Sequence, residues 1–227
     1  MKTNEELQRD VQNAIQFEPL MHAAEIGVMV KDGIVTLTGN VDRYYKKIEV
    51  ENATKNVAGV KAVVENITVI NNDFVKDDNE IAVEVVYALD SNWSVPKDKV
   101  KVKVERGWVT LDGELSCNYE RDAAKSAVNY LMGVKGVTCN IKIKSQVPDG
   151  IEKKHVENAL ARHWSINAKD ITVTVLGAMV TLTGDVTSLY QKEEAGRIAW
   201  NTPGVLSVNN RLVVEYDYAF VDQSKII

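Results

Sequence analysis

Val35-Thr36-Leu37-Thr38-Gly39 recurs as Val109-Thr110-Leu111-Asp112-Gly113 and again as Val180-Thr181-Leu182-Thr183-Gly184. Val and Leu alternate with Thr or Asp, the period-two pattern of a strand with one buried face. The glycine that follows is free to take a positive φ and is expected to turn the chain off the sheet. A second glycine stands 20 residues further on in every copy, in Gly59-Val60, Gly133-Val134 and Gly204-Val205. A fixed repeat of this length predicts repeated structural units. No reactive side chain repeats with it.

Working outward, 227 residues divide into three units of about 70 residues: 1–72, 77–146 and 148–216, with a tail at 217–227 that lies outside the repeat. Units this small bury only about 60% of their unfolded surface, so contacts between them are expected. The composition is globular, 45% hydrophobic and 26% charged, and the net charge of −5 argues against nucleic acid as the main partner. No apolar run reaches the 18 residues of a membrane span. Met1-Lys2-Thr3-Asn4-Glu5-Glu6 carries no apolar signal core. The chain as it stands is expected in the cytoplasm, and in the periplasm if a signal segment has been removed. Cys117 and Cys139 have no counterparts in the other copies and fit no metal or redox spacing.

Each copy opens with a predicted helix. Leu7, Val11, Ala14 and Ile15 form one stripe, Ile81, Val85, Ala88 and Leu89 a second, Ile151, Val156, Ala159 and Leu160 a third. Asn4, Asp78 and Asp149 are the predicted N-caps. Trp93 and Trp164, at the place of Pro19, are expected each to cover its own core; a shared contact point is the other reading. A hairpin follows, with Ile26, Val28 and Val30 inward in copy one, Val100, Val102 and Val104 in copy two, and Ile171, Val173 and Val175 in copy three. Its turns are Asp32-Gly33, Arg106-Gly107 and Gly177-Ala178. A second helix is predicted from the N-caps Asp42, Ser116 and Thr187, with Tyr45, Tyr119 and Tyr190 sealing the core from its first turn. The Gly-Val pair is placed at the helix C′ position, and a last strand follows. The order α-β-β-α-β gives an α+β fold, a three-stranded mixed sheet with two helices on one face.

This order, the Val-Thr-Leu-x-Gly strand and the later Gly-Val resemble the BON domain, over about residues 3–71, 77–145 and 148–215. Gly39, Gly113 and Gly184 match that family's most typical glycine; Gly59, Gly133 and Gly204 match the one before its last strand. The resemblance implies a non-enzymatic protein, and no cofactor or metal is expected. It also implies association with phospholipid, envelope maintenance and the osmotic stress response.

Residue chemistry adds little to that. His22, His155 and His163 complete no metal motif, and no serine elbow or phosphate loop is present. Gly133-Val134-Lys135-Gly136 spells the GxxG of RNA-binding KH domains but lies between helix and strand and is absent from the other copies.

One cluster stands out. Lys99, Lys101 and Lys103 alternate with Val100, Val102 and Val104, so they face away from the helices. Lys142 and Lys144 share that face, with Trp108 between them. Copy one has Gly27 and Met29 at the places of Lys101 and Lys103; copy three has Thr172 and Thr174. Two readings follow: a basic platform with an aromatic anchor for anionic phospholipid, or lysines that keep sheets from pairing edge to edge. The function expected is a non-catalytic envelope binding protein associating with anionic phospholipid; the alternative is a structural or chaperone-like protein that binds other proteins.

Overall fold

The structure, a computed structural model, describes residues 3–19, 26–70, 76–144 and 153–215. Three units share one order of elements. The first has helix α1 (Asn4–Gln16), strands β1 (Ile26–Lys31) and β2 (Ile34–Val41), helix α2 (Tyr44–Asn56) and strand β3 (Ala62–Val69). The second has α3 (Asp78–Ser91), β4 (Val100–Glu105), β5 (Trp108–Leu115), α4 (Asn118–Asn129), β6 (Gly136–Cys139) and β7 (Lys142–Ile143). The third has α5 (Lys153–Ala161), β8 (Ile171–Leu176), β9 (Met179–Val186), α6 (Leu189–Trp200), β10 (Ser207–Asn210) and β11 (Val213–Val214).

In each unit the repeated strand is the central one, antiparallel to the strand before it and parallel to the last. Val35 and Leu37, Val109 and Leu111, and Val180 and Leu182 are fully buried. They meet the helix stripes Leu7/Val11/Ile15, Ile81/Val85/Leu89 and Val156/Leu160 in three separate cores. The fold is the expected α+β architecture, three times over.

The repeated glycine does not end its strand. Gly39, Gly113 and Gly184 lie two residues before the strand's last residue, opposite Ile26, Val100 and Ile171 on the first rung of the hairpin. Their φ values are 142°, 155° and 126°. A Cβ at Gly113 would lie 2.2 Å from the Lys99 carbonyl oxygen, and one at Gly184 1.9 Å from that of Asp170. The strand runs on past the glycine along its parallel neighbour alone. The second glycine is also displaced from the expected C′ position, three or four residues past the helix end. In Val57-Ala58-Gly59-Val60 and Thr202-Pro203-Gly204-Val205, the fourth residue's N–H donates to the first residue's carbonyl. Gly59 and Gly204, third in each turn, have φ of 98° and 87°, as a type II turn requires. The turn points Val60 and Val205 into their cores, as it does Val134 in the second unit.

The helix caps fall one residue from their expected positions. Thr3 and Asp77 cap α1 and α3 in full capping boxes with Glu6 and Glu80. Asn4 and Asp78 instead reach the hairpin turn of their own unit. Asn4 Oδ1 accepts from the Asp32 N–H at 2.9 Å; the Asp78 carboxylate accepts from the Arg106 and Gly107 N–H groups at 2.8 and 2.9 Å. Asp149 lies outside the described residues. The second helices begin after Arg43, Cys117 and Ser188, and not after Asp42, Ser116 and Thr187. Asp78→Ala is expected to cost about 1.5–3 kcal/mol, since a charged acceptor for two backbone donors is lost. Asp78→Asn should recover part of it; urea midpoints of the two variants check this.

The three tyrosines do not seal their cores. Tyr119 is exposed and Tyr45 and Tyr190 are half-buried. Tyr45 stacks on Tyr130 of the second unit, ring centres 5.7 Å apart. It belongs to a set of contacts that joins the units head to tail. Tyr44, first residue of α2, packs on the cores of both the first and second units. Burial pushes its hydroxyl pKa up, and the Val137 backbone hydrogen-bonds it. At the start of α4, Asn118 donates to Asn201 Oδ1 at 3.0 Å beyond the end of α6, and Arg121 lies 4.9 Å over the Trp200 ring. At the start of α6, the Thr187 carbonyl accepts from the Gly59 N–H at 3.2 Å beyond the end of α2. Lys55 bridges Glu51 and Glu193 at 2.7 and 2.8 Å across that last seam. Burial opposes its charge, but the two carboxylates outweigh burial and raise its pKa. First to second, second to third and third to first, the start of one second helix meets the end of the next. A head-to-tail contact that closes after three steps is a pseudo-threefold ring within one chain.

Candidate functional site

Strand geometry presents Lys99, Lys101, Lys103, Lys142 and Lys144 to solvent, and Trp108 is 52% exposed. The face is not covered by another unit. Trp108 lies across Gly136, where a Cβ would meet its ring at 2.3 Å, so the small residue on β6 seats the indole. Carboxylates share this face. Asp112 is the cross-strand partner of Lys101, and Glu114 of Lys142. Lys144 Nζ pairs with Glu114 at 2.6 Å and Lys103 with Glu105 at 3.0 Å. The Lys144 hydrogen bond holds the Glu114 carboxyl below its ordinary pKa. Lys99, Lys101, Lys142 and Lys144 line a shallow recess of about 650 Å3 together with Asp98, Asp112 and Glu114. It is a mixed-charge face and not a basic platform. The signal was in the sequence: the parity that turns Trp108 outward also turns out Asp112 and Glu114.

The opposite side of the second unit carries a feature that the helix stripes concealed. Helix α3 buries Ile81, Val85 and Leu89, yet its solvent side is apolar as well. Val83 is 69% exposed, Tyr87 73% and Val86 is also open to solvent. Beyond the helix end, Trp93 is 93% exposed. It does not cover its own core, and neither does Trp164, at 91%. The repeat places Arg9, Gln12 and Asn13 of α1, and Lys154, Glu157 and Asn158 of α5, where α3 has Val83, Val86 and Tyr87. Only Asp90 puts a carboxylate on the solvent side of α3 near its end, while Glu80 caps the helix and Glu84 pairs with Lys76.

Cys117 and Cys139 are free thiols. Among the described residues no group of three or more His, Cys, Asp or Glu side chains is placed to hold a metal ion. His163 pairs with Glu194 at 3.0 Å; His22 lies outside the described residues. No described helix is long and apolar enough to cross a membrane.

A family model of the BON domain matches residues 3–71, 77–145 and 149–216. The chain belongs to the BON domain family. BON domains are non-catalytic binding modules, which agrees with a repeat built from folding residues. No curated protein matches at a significant level. Among solved structures, two of CdsD, a structural protein of the type III secretion system of Chlamydia trachomatis, are similar at 19% and 18% identity. They cover 92% and 95% of this chain and 92% and 100% of their own, each with a TM-score of 0.25.

The three BON units therefore share one fold, except that the last strand, unbroken in the first unit, is split in two in the others and gives four-stranded sheets there where three strands were expected. They differ more in what they show to solvent. The second presents an apolar helix face on one side and a mixed-charge sheet face on the other. Because each unit is two layers thick, with helices on one face of the sheet, these surfaces point in opposite directions. One flat partner can meet only one of them.

Proposed function

We propose that this BON protein is a non-catalytic envelope binding protein that docks peripherally on phospholipid through the solvent side of α3 and Trp93. The observation that carries the reading is the apolar outer face Val83, Val86 and Tyr87, where the other two units are polar. A helix apolar on both faces has an outer face to bury. Tyr and Trp, with apolar bodies and polar tips, suit the headgroup boundary. Asp90 and the net charge of −5 oppose an anionic surface, and the lysines of the sheet face point the other way. Insertion of apolar groups, and not charge, is then the main attraction.

Co-sedimentation with vesicles of phosphatidylethanolamine and phosphatidylglycerol tests this. Val86→Asp with Trp93→Ala is expected to lower the bound fraction at least tenfold, about 1.4 kcal/mol. Lys101→Glu with Lys103→Glu is expected to change it less than twofold. The reverse pattern would return the contact to the sheet face. Sedimentation of none of the proteins, wild type included, would move the assignment to protein partners.

A further inference from the structure

The three seams of the ring are equivalent by the repeat but are not filled alike. Tyr44, Asn118 and Leu189 are the first residues of α2, α4 and α6 and occupy one repeat position. At the seam between the first and second units, Tyr44 puts its ring between two cores. At the seam between the third and first, Leu189 packs into its own core and the Gly59–Thr187 backbone bond draws the units together. At the seam between the second and third, Asn118 is too short to take the place that Tyr44 takes. A pocket of about 260 Å3 lies there, bounded by Cys117, Asn118 and Tyr119 on one side and Trp200, Pro203 and Val205 on the other.

We propose that this seam is a binding site for a small neutral aromatic molecule, which supplies the ring that Tyr44 supplies at the first seam. The volume is ample, since an apolar cavity of about 150 Å3 holds a benzene. Trp200 and Tyr119 offer aromatic surfaces, and ring pairs favour stacked or edge-on packing. No residue lining the pocket is charged, and the charged groups next in sequence to it are already engaged. Arg121 donates to Asn118 Oδ1 and lies over Trp200; Glu120 accepts from the Ser116 and Cys117 N–H groups at 2.9 and 3.1 Å. Asp122 accepts from Asn118 Nδ2 at 2.8 Å, and burial pushes its pKa up. A charged ligand would find no free counter-charge, whereas a neutral ring displaces only water. The site is separate from the face of α3 and does not depend on the lipid reading.

The probe is p-cresol, the free tyrosine side chain, titrated into the isotope-labelled full chain and followed by NMR. Four indole signals report on it. The Trp200 indole and the Val205 amide are expected to shift saturably, while Trp93 and Trp164 do not. Asn118→Tyr should fill the pocket from within and abolish the shift. Ser116→Phe, from the exposed rim, serves if Asn118→Tyr fails to fold. No saturable shift at Trp200, a shift that persists in the filled variant, or shifts confined to Trp93 and Trp164 would each overturn the proposal.

Discussion

Gly113→Val and Gly184→Val are each expected to come close to unfolding the unit that carries them. Positive φ at these positions strains any residue with a Cβ, and Val is among the worst placed. Backbone strain accounts for about 1–3 kcal/mol. The collision adds to it, because the new Cβ would lie 2.2 Å from the Lys99 carbonyl oxygen or 1.9 Å from that of Asp170. Those oxygens are backbone atoms at the start of the hairpin, so they move only if the rung opposite the glycine opens. Overpacking of this kind costs about another 1–3 kcal/mol. A unit of about 70 residues has roughly 4–10 kcal/mol in total, so the sum is a large share of it. Gly177→Ala is the control: its φ is +59°, but a Cβ there meets nothing within 4 Å, and the cost should be about 1–2 kcal/mol. Urea unfolding of the full chain separates the cases. Equal midpoints for Gly184→Val and Gly177→Ala would show that the close carbonyl is not what these glycines serve.

Leu111→Ala is expected to destabilise the second unit by about 2–5 kcal/mol, the range for a fully buried leucine whose surroundings relax only in part. Leu37, Leu111 and Leu182 are all without exposed surface at one repeat position in the central strand. Each belongs to the buried cluster of its own unit, which draws on both the helices and the strands. Leu176→Ala, at an exposed leucine, should change stability by less than about 0.5 kcal/mol. Because the cores are three separate clusters, the Leu111→Ala loss should appear in the transition of the second unit. Calorimetry in which all three units shift together would mean instead that the ring seams couple the cores into one cooperative body.

Much of the proposed binding surface was also written in the sequence, in the contrast between the copies at exposed positions as well as buried ones. Val83, Val86 and Tyr87 against Arg9, Gln12 and Asn13 is a sequence-level contrast. The helix stripe drew attention to Ile81, Val85 and Leu89 and hid it. Asp112 and Glu114 were likewise readable by the strand parity that exposed the lysines. Trp93 and Trp164 were not: tryptophan is usually buried, and only in the tertiary structure does the turn after the first helix swing both indoles into solvent.

The repeat, the α-β-β-α-β order and the inward faces of the strands follow from the sequence alone. They depend on periodic burial within about 70 residues, and period-two and helical patterns state that burial directly. The tertiary structure decided what Asn4, Asp78, Tyr44 and Tyr45 do. Asn4 and Asp78 look like caps because their residue type suits a cap, but a hairpin turn 28 and 29 residues away offers unpaired N–H groups to them. Tyr44 and Tyr45 meet the second unit only because three bodies close into a ring. No periodicity encodes that closure, since it rests on how separately folded surfaces fit.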